Sequence, residues 1–144
     1  MRVDHIDELA GWALSMLQVA PVGHLGLLDG EDRPRVLPVT FALHDGAFYS
    51  AVDEKPKRVP PSRLARVRYL RRSPDASLTV DHYDADWSKL AWVQALCRAE
   101  ILESLDPSAL DALAAKYRPY REAPPGGPLI RLVPHRLICW RAAP

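Results

Sequence analysis

The sequence is short of most features that assign a function by themselves. It holds two cysteines, Cys97 and Cys139, in 144 residues. They form no C-x-x-C pair and no Cys/His cluster, and they read as buried free thiols in a reducing cytoplasm. His5, His24 and His135 are scattered without metal-ligand spacing, so no metal is expected. Net charge is only +1, which offers no bulk attraction to nucleic acid or to a membrane surface; any cationic site has to be local. No apolar run approaches the length that spans a bilayer. The start, M-R-V-D-H-I-D, carries early acids and no apolar core, so no export signal is expected and the cytoplasm is the expected location. There is no regular βαβ alternation and no Gly-rich phosphate loop, which argues against a dinucleotide fold. No triad or acid–base pair stands out, and catalytic residues stay unassigned.

What is present suits one globular domain over residues 1–144, with 48% hydrophobic residues and one core. The 14 prolines argue for many short elements and firm turns. The chain is organised around R-P-R-V-L-P-V-T-F-A-L-H-D-G-A-F-Y-S-A-V-D-E-K-P-K-R, from Arg33 to Arg58. Residues 36–43 are apolar and β-branched, Asp45-Gly46 is a strong type I′ hairpin signal, and residues 47–52 return as a second strand. That strand runs into Lys55, Lys57 and Arg58, and an Arg-rich helix follows. A rigid hairpin ending in cations is a good holder of phosphate.

Along the rest of the chain, residues 4–18 have helical spacing, ended by Pro21. Residues 22–28 read as a strand closed by Asp29-Gly30 and paired with the strand that begins near Arg35. Ser62 caps a short helix whose Leu64, Val67 and Leu70 share a face and leave the arginines on the other. Strands follow over 76–83 and 91–102. Asp106-Pro107 starts a helix with the stripe Leu110, Leu113, Ala114 and Tyr117. Residues 118–128 read as a loop. A last strand over 129–140 is interrupted at Pro134, which implies a bulge or an edge. About six strands and three short helices, joined by tight turns, favour a mainly β antiparallel barrel with helices packed outside.

Several stretches together resemble a known family. The hairpin R-V-L-P-V plus F-Y-S, the cationic K-P-K-R, S-P-D-A-S-L and the closing L-V-P-H-R-L-I-C-W are similar to the split β-barrel flavoproteins related to pyridoxamine 5′-phosphate oxidase. A-V-D-E-K-P-K-R and L-R-R-S-P-D-A-S-L-T-V-D-H-Y-D-A-D-W-S-K-L-A-W-V resemble the actinobacterial branch that uses the deazaflavin coenzyme F420. The resemblance covers almost the whole chain, and no single motif in it is decisive. It implies a six-stranded split barrel, a two-fold homodimer with cofactor at the interface, and a reductase passing hydride from reduced F420 to a small organic acceptor. The alternatives are FMN in the same fold, or a non-catalytic cofactor-binding protein. By this resemblance Ser50, Lys57 and Arg58 belong to the phosphate end, with Arg63 at the start of the next helix and Lys55 evenly balanced between ligand and surface. Val36, Pro38 and Val39 lie along the ring system, and Trp87 and Trp92 approach it from the loop and next strand. Departures are Arg58 where a small hydroxyl is common, Pro60-Pro61 after it, Tyr69 for an amide and Cys97 for a glycine.

Each signal also has a plainer reading. Arg71 and Arg72 are taken as solvated charges. Ser50 could satisfy a local carbonyl, and Trp92 could be core or dimer interface. His82, Tyr83 and Asp84 lean toward capping a turn. Nucleic-acid binding through the arginine helix would want a wider basic surface, and none is expected.

Overall fold

The computed structural model describes residues 1–52 and 64–143. Eight strands, β1 (Arg2–Val3), β2 (Gly23–Leu28), β3 (Pro34–Val39), β4 (Ala42–His44), β5 (Ala47–Ala51), β6 (Asp75–His82), β7 (Ala91–Leu102) and β8 (Leu129–Arg141), form one antiparallel sheet. Their order is β3-β2-β6-β7-β8-β5-β4, with β1 added beside β8. Four helices flank it: α1 (Gly11–Val19), α2 (Ala65–Arg72), α3 (Pro107–Lys116) and α4 (Arg118–Glu122). The expected mainly β, antiparallel class holds. The expected count of six strands in a split barrel is not met: there are eight strands among the described residues, and no ladder joins β3 to β4, so the sheet is not closed.

The ring is left open where one strand was expected over residues 36–43. The chain splits there into β3, paired with β2, and β4, paired with β5. Pro34 and Pro38 place β3 at an edge, where a missing N–H costs no ladder bond on the open side. At the split, side chains replace the ladder. The Tyr117 hydroxyl accepts the Phe41 N–H at 3.0 Å and lies 2.8 Å from Pro21 O and 3.0 Å from Phe41 O. Lys116 Nζ donates to Phe41 O at 2.9 Å and stands 3.6 Å from the centre of the Phe41 ring. Ser50 Oγ donates to Thr40 O at 2.7 Å. The buried backbone groups of the break are thereby satisfied.

The Asp45-Gly46 turn forms as expected, with φ of 48° and 75°, the left-handed pair that a type I′ turn requires. The long ladder of β7 with β8 carries the expected irregularity. Leu96 pairs with Arg136 but Cys97 with Pro134, so His135 is the extra residue of a bulge, in a strand interior to the sheet. The 4–18 segment is not one helix. A short 3-10 turn (Ile6–Glu8) precedes α1, and Leu9 and Ala10 between them are extended. Gly11 offers little helix propensity to bridge the two. Residues 118–128, expected as loop, contain α4.

Phe41, Phe48, Leu25, Leu78, Leu132 and Leu137 lead the main core. A smaller cluster of Tyr49, Leu113, Ala109 and Leu129 seals the other side of β5 under α3. Val67 and Leu70 of α2 point into the main core, leaving its arginines outside. Both cysteines are buried and form no disulfide, and burial pushes the Cys97 thiol up to about 12. No helix among the described residues is long and apolar enough to cross a membrane.

Candidate functional site

The β2–β3 turn positions the site. The Asp29 carboxylate accepts the backbone N–H groups of Glu31 and Arg33 at 2.9 and 3.0 Å, and Arg35 stands 3.5 Å from it. The Arg33 and Glu31 N–H bonds lower its pKa first, and the nearby guanidinium groups add to this against the effect of burial. Asp32, at the same turn, takes Arg72 from α2 at 2.7 Å, which lowers the carboxyl and raises the guanidinium. Arg72 also donates to Asp29 O. The last turn of α2 is thus tied to the turn that starts β3. Arg71 pairs with Glu103. Both arginines were expected as solvated charges; they lie at the surface, and each is engaged by an acid.

This tie leaves a cavity of about 310 Å³ between β3 and the start of α2, walled by Arg35, Val36, Leu37, Leu64, Arg66 and Tyr69 among others. Its size falls within the roughly 300–1,000 Å³ of small-molecule sites. No carboxylate among the described residues lines it. Arg66 has no acidic partner among the described residues, and the first-turn N–H groups of a helix lack intrahelical acceptors. The electrostatics therefore favour an anion beside an apolar, partly aromatic wall.

The residues expected from the sequence distribute unevenly. Val36 lines this cavity and is 71% exposed. Pro38 is exposed on the same edge strand, while Val39 turns inward and is buried. Ser50 is fully buried, with its hydroxyl donated to Thr40 O. Lys55, Lys57, Arg58 and Arg63 lie outside the described residues; Leu64, next after Arg63 in sequence, is in the cavity wall. Trp87 is elsewhere. Because Gly26 pairs with Ser77 and His24 with Thr79, β6 runs from the α2 end of the sheet at Asp75 to the opposite end at His82. Trp87 follows that far end in a 3-10 turn (Trp87–Lys89) capped by Asp86, and it is 77% exposed. Trp92 is half-buried and opposite Trp140 in the β7–β8 ladder. His82 and Asp84 approach to 3.7 Å, and Asp84 accepts the Asp86 N–H, a turn-building role. Sequence reasoning missed Arg35, which no motif marks, and treated Tyr69 as a departure only.

No family model matches the chain, and no curated protein does. Solved structures do match. The conserved hypothetical protein Rv2991 from Mycobacterium tuberculosis superposes with a TM-score of 0.73 at 18% identity, over 92% of this chain and 85% of that one. An FAD-binding protein from Mesorhizobium loti gives 0.65 at 19% identity, over 94% and 96%. An F420 reductase gives 0.64 at 16% identity, over 90% and 98%. At these identities the likeness shows a shared fold.

Proposed function

We propose that the chain is an oxidoreductase that binds coenzyme F420 and reduces a small organic acceptor. The observation that carries this reading is the β3–α2 cavity, with two guanidinium groups and, among the described residues, no carboxylate in its wall. The fold shared with an F420 reductase and an FAD-binding protein supports it, as does the sequence resemblance of A-V-D-E-K-P-K-R. A reduced deazaflavin supplies hydride chemistry, which accounts for a site without an evident catalytic triad. Arg35 and Arg66 would hold anionic oxygens, and the apolar wall at Val36 and Leu37 would exclude water from a ring. Lys55, Lys57, Arg58 and Arg63 are proposed as further anion partners on the sequence alone. Pro38 and Val39 are proposed to offer backbone. Ser50 would have to give up its bond to Thr40 O to touch a ligand. Trp87, at the far end of the strands, could approach this cavity only from a second copy of the chain. That agrees with the proposed homodimer, as do the exposed Val36 and Trp140 on the outer sheet face.

FMN is the second reading, since a cationic, apolar cavity serves a flavin phosphate equally and one structural neighbour binds FAD. The test is calorimetric titration of F420 and FMN side by side, followed by turnover against a panel of acceptors. Charge-assisted hydrogen bonds contribute about 1.5–3 kcal/mol each, so Arg66→Met should weaken binding about tenfold or more, and Lys57→Ala/Arg58→Ala at least as much. Tight FMN with no measurable F420 binding would promote the second reading. Binding of neither, by a folded dimer, would remove both.

A further inference from the structure

At the opposite end of the sheet a second cavity, of about 400 Å³, opens between α1, the end of β6 and the end of β8. Its lining includes the apolar Met16, Leu90 and Trp12 and the basic Lys89, Arg141 and His82. Arg141 lies over the Trp12 ring at 5.2 Å, an arrangement that orients a guanidinium while leaving its edge N–H groups free to donate. Among the described residues, neither Lys89 nor Arg141 has a carboxylate partner and no acid lines the cavity. The acids in the adjoining loop are already committed: Asp86 accepts the Ser88 N–H and hydroxyl, and Asp84 accepts the Asp86 N–H. In a chain of net charge +1, two cations without an acidic partner among the described residues, set beside apolar side chains and an indole, are a local choice of ligand chemistry.

We propose that this cavity is a second small-molecule site, selective for a flat aromatic carboxylate. The ring lies against Trp12, Met16 and Leu90, and the carboxylate takes Arg141 and Lys89. The proposal does not rest on the flavin reading, because the two cavities share no residue and lie at opposite strand ends.

The probes are naphthoate and its neutral amide, titrated into the full chain by calorimetry, with circular dichroism confirming that each variant is folded. Naphthoate should bind about tenfold or more tightly than the amide, and more weakly as salt rises. Arg141→Met should remove that preference, Lys89→Met should reduce it, and Arg66→Met, in the other cavity, should leave it intact. Equal binding of acid and amide, an unchanged preference in Arg141→Met, an equal loss in Arg66→Met, or no binding up to the solubility limit would each overturn the assignment.

Discussion

Tyr117→Phe isolates what holds the open seam of the sheet. The change removes one oxygen and leaves the ring in place, so packing against Tyr120 persists. Phe41 is fully buried, and its N–H has the Tyr117 hydroxyl as acceptor. Leaving such a donor unsatisfied costs about 1–3 kcal/mol. Phe41 O keeps Lys116, and Pro21 O lies at an exposed position where water can replace the phenol. The expected loss is therefore about 2 kcal/mol, nearly all from one orphaned N–H. For 144 residues the unfolding entropy is roughly 300 cal/mol/K, so Tm should fall by about 7 °C. Urea titration should show a lower midpoint at unchanged slope. Tyr83→Phe, at an exposed position, should match the parent. A Tyr117→Phe midpoint within about 0.5 kcal/mol of the parent would mean that Phe41 N–H finds another acceptor, and that α3 does not close the seam.

Three further changes test other parts of the structure. Burial lowers the Lys116 pKa from 10.5 to about 8, so between those values the unfolded chain binds the extra proton; wild-type stability relative to Lys116→Met should rise from pH 8 to pH 10, and a flat difference would show that burial does not set the ammonium's pKa. Gly46→Ala places a Cβ at φ 75° and should cost about 1–2 kcal/mol in urea titration, with no change expected if the turn relaxes to another type. Asp29 has a folded pKa below 3.8, so its contribution is present above that value and is lost as pH falls through the folded one; Asp29→Asn should flatten the acid limb of a pH–Tm profile, and an unaltered limb would refute its role at the turn.

What was legible in the sequence is what local chemistry dictates. Residues 91–102, expected as a long strand, form β7 to the residue, with buried and less buried side chains alternating from Ala91 to Glu100. Asp106-Pro107 caps α3 as read, with Ser108 N–H on the carboxylate. Asp45-Gly46 could only be a tight turn. The errors lie where a distant partner decides. Arg2–Val3 is too short to announce a strand, and it becomes one because β8 is long enough to leave Leu137 and Ile138 without β5. The break at Thr40-Phe41 depends on Tyr117 and Lys116, more than seventy residues later in the chain. The apolar run over 36–43 therefore looks continuous in sequence and is not so in space. Arg72 was read as a free charge because Asp32 meets it only after β2, β3 and α2 have packed.

The break also changes what the stretch from Arg33 to Arg58 does. A single rigid hairpin would have put its first strand and the cationic segment on the same two-stranded unit. Instead β3 belongs to the β2 edge and presents Val36 to the α2 cavity, while β4 and β5 belong to the α3 side of the core. β5 is buried along both faces, from Ala47 to Ala51. A shift by one residue would exchange Phe48 of the main core with Tyr49 of the smaller cluster and unpack both, so its register is firmly held. The cations Lys55, Lys57 and Arg58 follow that strand in sequence and lie outside the described residues. The residues they would act with, Val36 and Arg66, come from an edge strand and a helix tied to each other by Arg72 and Asp32. The edge that presents Val36 is thus built and braced separately from the strand that the smaller core cluster holds in register.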